Sequence, residues 1–384
     1  MNNKQQKGQF FTKNSEYILN GFSYFMKNKN VIDPFAGNKD LIYWAKKNKV
    51  KNILGYDIDQ KYIDKKEVFL NDSIIKPQKY EFVLTNPPYL HKNKGDKETK
   101  DKYFSGKNAV FEDLYQVSIN SILNCSEGIL IVPLNFLCAE NSKKIRALFF
   151  EKFEIVKLNI FFEQVFEDTT YNVISFYFKK KTHFSNINQI SATIFPENKD
   201  IILTIEKKFD WQIGGEFINK IKKTKNYLGI SRLTEDYIVS GEHQVELALQ
   251  NIKEKNIHFV SYDIKKKLEN NIIFLRAIDS KNGKKIQLED IRNYNIAGLI
   301  GKNTSRNMAH LIFEKDLSIN EQEELMKEFN ERLNRERNRY FSFFLTNFRD
   351  NNRKRISFDL TYKFLNYIYN NKNNIENCNG RLFT

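Results

Sequence analysis

Short apolar runs recur through the first half of the chain. Each ends in a polar residue or a proline. Val31-Ile32 runs into Asp33-Pro34, and Asn52 to Tyr56 runs into Asp57. Phe82 to Thr85 runs into Asn86, and Gly128 to Val132 into Pro133. Asp40 to Lys47 and Asp113 to Leu123 lie between such runs and carry helical spacing. Strands alternating with helices at this spacing predict an α/β fold with a doubly wound, mostly parallel sheet. Ile155 to Ile160 and Asn172 to Lys179 read as two further strands. The second puts Val173, Ser175 and Tyr177 on one face and Ile174, Phe176 and Phe178 on the other, as an antiparallel hairpin closing one sheet edge would.

Past about residue 185 the alternation fades. Ile190 to Phe195 and Ile201 to Ile205 are candidate strands, and Gly214-Gly215 offers a flexible junction. Ile319 to Arg339 is helical in spacing and heavily charged. The pattern predicts two domains, residues 1–213 and 214–384, and shows no internal repeat.

Composition narrows the class. The 384 residues suffice for two cores, with 41% hydrophobic content. Mean hydropathy is −0.58, and no apolar run approaches a membrane span. The N-terminal residues lack the apolar core of a signal peptide. Cys125, Cys138 and Cys378 are too scattered for a disulfide framework or a zinc site, and the five histidines lack ligand spacing. The expectation is a cytoplasmic, metal-free protein with reduced thiols. Net charge is +15, which fits a polyanionic partner. A Lys- and Asn-rich composition drawn from an AT-rich genome gives the same excess.

Chemistry concentrates where the strands end. Asn86-Pro87-Pro88-Tyr89 follows a buried-type strand, at the sheet edge where α/β folds bind ligands. Two prolines stiffen the turn and remove two N–H donors. The Asn86 amide oxygen and the Pro87 carbonyl then face outward as acceptors, matching the two N–H groups of an exocyclic amine. Tyr89 supplies a flat face for the same ring. Asp33 to Asn38 is a strand-to-helix turn, with Gly37 allowing close approach of a ligand. The turn lacks the G-x-G-x-x-G of a phosphate cradle. Asp57 can accept from two ribose hydroxyls, and Asp72 from the amine of an adenine. Singly each aspartate reads as a turn or cap residue. Three in succession followed by Asn86 describe an adenosine site.

In this motif order the chain resembles the adenine-N6 DNA methyltransferases of restriction–modification systems, in their gamma arrangement. Lys7-Gly8-Gln9-Phe10-Phe11-Thr12 resembles the segment that covers the methionine part of S-adenosylmethionine. Asp33 to Leu41 is similar to the first cofactor loop, and Asn86 to Tyr89 to the catalytic motif. The resemblance covers about residues 7–180. It implies a sheet of the class I S-adenosylmethionine-dependent type and a C-terminal mixed target-recognition domain. The cofactor residues it implies are Gln9, Phe10, Thr12, Asp33, Phe35, Gly37, Asp57, Ile58, Asp72, Ser73 and Asn86. Asn86, Pro87, Pro88 and Tyr89 are the catalytic set, and Tyr89 with Phe166 would hold a flipped base, Tyr171 being the alternative. The family's first loop commonly has a second glycine where this chain has Lys39. A positive φ there would strain lysine. Alternatively Lys39 lies near the cofactor carboxylate.

The C-terminal region mixes basic, amide and aromatic side chains. Arg337, Arg339, Arg349, Arg353, Lys354 and Arg355 are the candidate DNA contacts. The implied partners are double-stranded DNA and a cognate restriction endonuclease, with no membrane and no metal. Two other enzymes fit the four-residue motif: a protein-glutamine methyltransferase acting on release factors, and an RNA adenine methyltransferase. A non-enzymatic DNA-specificity module with a degenerate fold is the remaining alternative.

Overall fold

Central strands here are apolar throughout rather than alternating, because both of their faces are covered. Phe82–Thr85 is buried at every position, and Glu127–Pro133 at all but its first. The computed structural model that shows this describes residues 12, 14–166, 172–280, 283–347 and 353–380. It divides into two compact units at Gly215/Glu216. No helix among the described residues is long and apolar enough to cross a membrane.

The first unit holds a nine-stranded mixed sheet. Its strands are β1 (Asn30–Asp33), β2 (Asn52–Asp57), β3 (Val68–Leu70), β4 (Phe82–Thr85), β5 (Glu127–Pro133), β6 (Phe153–Phe161), β7 (Val173–Lys180), β8 (Ile187–Phe195) and β9 (Lys199–Glu206). The order is β3-β2-β1-β4-β5-β7-β6-β8-β9. From β3 to β5 every pairing is parallel. The carboxyl ends of these strands therefore share one edge. The chain runs outward from β1 to β3 and returns to β4 on the other side of β1. That reversal opens a crevice between β1 and β4.

The other half differs from the expectation. β6 and β7 pair antiparallel, with a register shift between Ile155 and Lys157, but they do not close the sheet. β8 continues it, parallel to β6 from Lys157↔Ser191 to Phe161↔Phe195, and β9 follows antiparallel. A nine-residue β6 left at the edge would expose a row of unpaired amides, and β8 covers them.

Helix limits follow local signals. The helix Asp40–Lys47 has the bounds its spacing predicts. The helix Leu114–Ser121 starts after Asp113, which forms a capping box with Gln116.

The second unit contains a four-stranded and a three-stranded sheet. The helix Ile319–Arg339 starts at a Ser318/Glu321 capping box. Leu325, Met326, Phe329 and Leu333 form its buried stripe, in one core with Leu275, Leu311 and Phe364.

Candidate active site

Three strand ends bring the chemistry together. β1 ends in Asp33, β2 in Asp57, and β4 delivers Asn86. Across the crevice the Thr85 hydroxyl donates to Asp33 Oδ1 at 2.6 Å, so β4 and β1 are tied where the order reverses. Asp33 also accepts from the Phe35 amide at 3.1 Å. Its burial raises the carboxyl to about 7, against the lowering effect of those two bonds; Asp57 and Asp40 add to the rise.

The loop after β1 is fixed from β2. Ala36 N–H donates to the Tyr56 carbonyl at 2.8 Å, and Gly37 N–H donates to Asp57 Oδ2 at 2.9 Å. Gly37 has φ 46°, in the left-handed region that glycine adopts without penalty. Gly55 on β2 lets the loop lie close, because a Cβ there would sit 2.6 Å from Ala36 Cβ. Asp57 Oδ1 accepts from Asp59 N–H at 2.8 Å. Burial raises the Asp57 carboxyl, and these amide bonds oppose it.

Lys39 does adopt a left-handed backbone, at φ 66°. For a non-glycine residue that costs about 1–2 kcal/mol. Its ammonium pairs with Asp64 and lies 4.0 Å from Glu67. The side chain is thus directed to the turn before β3, and Lys39 is not part of the cavity wall described next.

These ends surround a cavity of about 660 Å³. Thr12, Asp33, Phe35, Gly37, Asp57, Ile58, Asp72, Asn86 and Pro88 line it. Ser73 and Pro87 are buried beside it without lining it. Gln9 and Phe10 lie outside the described residues, as do Tyr171 and Arg349.

Asn86 is held on both sides. Its Nδ2 donates to Thr12 Oγ1 at 3.1 Å, and its Oδ1 faces the Tyr89 hydroxyl at 2.5 Å. That hydroxyl also reaches the Ile131 carbonyl on β5 at 2.8 Å. Burial pushes the Tyr89 phenol well above its usual range, so it stays a hydrogen-bond donor. Tyr89 is only 7% exposed, edge-on to Tyr115, and does not line the cavity. Phe166 is buried as well, at 3% exposure. The expectation of two open aromatic faces is therefore corrected. The bond to Ile131 draws the Tyr89 ring under β5, where it orients Asn86 instead.

One wall of the cavity comes from residues that the sequence reading passed over. Asp96 caps the helix Lys97–Tyr103 by accepting from Thr99 N–H at 2.8 Å. Lys102 Nζ then meets Asp72 Oδ2 at 2.8 Å, and the Tyr103 hydroxyl donates to the same oxygen at 3.0 Å. The Asp96 cap and the terminal Tyr103-Phe104 pair were the available signals.

In the second unit the basic candidates separate. Arg337 is a core residue, not a surface contact. Its guanidinium makes a paired contact with Asp279, both N···O distances being 2.8 Å, and its Nε donates to Ser342 Oγ. Burial would raise the Asp279 carboxyl, but the Arg337 bonds and charge hold it below its usual range. Lys354 is 3% exposed, which removes it too from a surface set. Arg353 donates through Nε to the Asp279 carbonyl at 2.8 Å, and Arg339 is exposed beside Glu216 at 3.2 Å. Arg355 has no acidic partner among the described residues. Burial, then the charge of Arg306, lowers its guanidinium pKa. Arg306 is exposed, in a loop whose Asn303 and Ser305 carbonyls are gripped by Arg232. Arg337→Ala leaves Asp279 buried without its cation, so we expect a loss of about 3–5 kcal/mol in urea unfolding. An unfolding midpoint like that of wild type would show the pair to be dispensable.

Residues 8–166 match the model of a family described as Eco57I restriction-modification methylase. Among curated proteins no significant relative is found. Among solved structures, a modification subunit of a putative type I restriction enzyme from Vibrio vulnificus YJ016 is similar at 12% identity and TM-score 0.37, covering 50% of this chain and 48% of that one. The type I restriction enzyme EcoKI M protein is similar at 14% identity and TM-score 0.35, covering 48% of each chain. The type IIG restriction endonuclease BpuSI is similar at 11% identity and TM-score 0.38, covering 65% of this chain and 42% of that one. The matches thus span about half of these structures or less.

Proposed function

We propose that this chain is a site-specific DNA adenine-N6 methyltransferase of a restriction–modification system, with S-adenosylmethionine as methyl donor. The observation that carries this reading is the placement of Asn86. It stands in the wall of a cavity that also presents Asp57 and Asp72, clamped between Thr12 and Tyr89. The match over residues 8–166 supports the same class.

The residues fit the cofactor. Asp57 would accept the ribose hydroxyls and Asp72 the purine amine, while exposed Ile58 gives the ring an apolar contact. Gly37 keeps a side chain out of the approach to the loop. When bound, S-adenosylmethionine supplies a methyl group already activated by its sulfonium.

The protein's task is alignment. The Asn86 amide oxygen and the Pro87 carbonyl would accept the two N–H groups of the target amine, drawing its lone pair out of the ring and stabilising the positive charge that develops on nitrogen. Pro87 and Pro88 add no competing N–H donors. No strong base is required, because the methylated nitrogen loses its proton readily. A paired adenine has to leave the helix to reach Asn86, at a cost of a few kcal/mol. Stacking by Tyr89 or Phe166 would need those rings to turn outward.

The second unit would hold duplex DNA. Arg306, Arg355, Arg353 and Arg339 are its accessible candidates, in place of Arg337 and Lys354. The protein would work in the cytoplasm beside an endonuclease specific for the same site.

The test is direct. Purified chain, isotopically labelled S-adenosylmethionine and duplex DNA should yield N6-methyladenine at one short sequence, read by mass spectrometry of nucleosides. Methylated glutamine in a release factor, with DNA unmodified, would refute the reading. For the second unit, the double variant Arg306→Gln/Arg355→Gln should weaken DNA binding and make the salt slope shallower by about 2, each lost phosphate contact removing about 0.9. Cofactor affinity should stay unchanged. A full slope in that variant would exclude this surface.

A further inference from the structure

The loop after β1 becomes the helix Asp40–Lys47 at Lys39, whose backbone sits at φ 66° and ψ 17°. Lys39 N–H donates to the Ala36 carbonyl, and its own carbonyl accepts from Tyr43 N–H, both at 2.9 Å. The residues on either side of this turn face the cavity. Gly37, Asn38, Asp40 and Leu41 line it, while Lys39 does not. Glycine takes a left-handed conformation freely, whereas a Cβ crowds the following carbonyl. A lysine stays there only where its surroundings outweigh that preference.

The side chain supplies the counterweight. Its ammonium meets Asp64 Oδ2 and lies 4.0 Å from Glu67, and Lys46 on the helix pairs with Glu67 as well. Asp64 is fixed before the lysine reaches it. Its Oδ1 accepts from the Lys66, Glu67 and Val68 amides at 2.9, 2.8 and 2.9 Å. The Lys39 ammonium first, and then those amides, hold the Asp64 carboxyl well below the usual carboxylate range. An isolated surface pair contributes little, because two long side chains must be ordered in water to make it. Here the turn has already ordered one partner, and a second pair runs beside the first. The Lys39 and Asp64 side chains are only 20% and 30% exposed. The turn that carries Asp64 leads into β3, after which Asn71 and Asp72 line the cavity. The pair thus joins two stretches of cavity wall, the loop after β1 and the approach to the end of β3.

We infer that Lys39 is a positioning residue of the cofactor cavity: its ion pair with Asp64 holds the loop after β1 in the left-handed turn that sets Asn38 and Asp40 in the wall. Lys39 acts from behind the loop and touches no ligand itself. The inference rests on the S-adenosylmethionine reading above and adds two residues, Lys39 and Asp64, that lie outside the cofactor set.

The experiment is a set of variants of the full chain titrated with S-adenosylhomocysteine by calorimetry. Lys39→Ala keeps a Cβ in the turn and loses the pair. It should bind about ten-fold more weakly, the scale set by the left-handed penalty of a residue with a Cβ. Asp64→Asn keeps the acceptor for the three amides and loses only the charge, and it should weaken binding in the same direction. Lys39→Gly should bind within about two-fold of wild type, because glycine needs no pair to take this conformation. Asp64→Asn added to Lys39→Gly should then change nothing further, since the two positions couple only through the lysine. In steady-state methyl transfer the loss in Lys39→Ala should appear in KM for S-adenosylmethionine rather than in kcat. Wild-type affinity in Lys39→Ala would overturn the inference. So would a Lys39→Gly as weak as Lys39→Ala, or an Asp64→Asn effect of equal size in the glycine background, which would trace the loss to the Asp64 turn alone. If wild type itself binds no S-adenosylhomocysteine, the cofactor reading fails, and the inference with it.

Discussion

Asn86→Ala should lower the single-turnover rate of methyl transfer by at least about 10²- to 10³-fold, the usual cost of removing one aligned group that stabilises developing charge. Its side chain touches Thr12 and Tyr89 within the first unit. Loss of the amide therefore removes the proposed acceptor for the target nitrogen and leaves the rest of the cavity standing. DNA affinity should change no more than a few-fold, because Asn86 is proposed to meet only the amino group of an extruded base. Rapid-quench measurement at saturating cofactor separates the two effects. A variant that keeps its single-turnover rate would end the catalytic assignment. A variant that loses DNA affinity in parallel would instead make Asn86 a docking residue.

The second large effect belongs to Asp57→Ala. Losing hydrogen bonds to a charged group costs about 1.5–3 kcal/mol, roughly 10- to 150-fold in affinity. The structure points to the upper part of that range. Asp57 not only faces the cavity but also ties down the Gly37 and Asp59 amides. Its removal takes away the proposed ribose acceptor and frees the loop that begins at Asp33. Asp57→Asn keeps one acceptor oxygen and should fall between alanine and wild type. Calorimetry with S-adenosylhomocysteine gives the affinities. Equal binding by Asp57→Ala and wild type would remove Asp57 from the site.

The two substitutions also test the site as a unit. Asn86→Ala should weaken cofactor binding less than Asp57→Ala does. Asp57→Ala should be rescued in part by raising cofactor concentration.

Much of the first unit was readable from the order of residues. An apolar run of four to six residues bounded by turn signals is too short for an ordinary helix and reads as a buried strand, and Phe82–Thr85 is one. The period of Ile319–Arg339 specifies a helix that faces a core on one side, and the structure has a helix with those limits. The meeting of Asp33, Asp57 and Asn86 follows from the same logic. Parallel strands put their carboxyl ends on one edge, so residues at those ends become neighbours however far apart they are in the chain.

Pairing partners were not readable in this way. Arg337 lies in a basic run, yet its charge is spent on Asp279, 58 positions away. Nothing near Arg337 in sequence signals that carboxylate. The same holds for Lys102 and Asp72, which the return of the chain after β4 brings together. Tyr89 adjoins Asn86 in a turn and reads as an exposed aromatic. The Ile131 carbonyl on β5 turns it inward. The β6–β7 hairpin reads as an edge because strand spacing says nothing about which strand pairs next, and β8 takes that place. Local period and turn chemistry determined the elements and the edge on which their ends gather, since both act over a few residues. Which charges are buried, which ring is turned in and which helix closes the cavity were decided only by the packed chain. Those outcomes depend on desolvation and on partners that sequence distance does not encode.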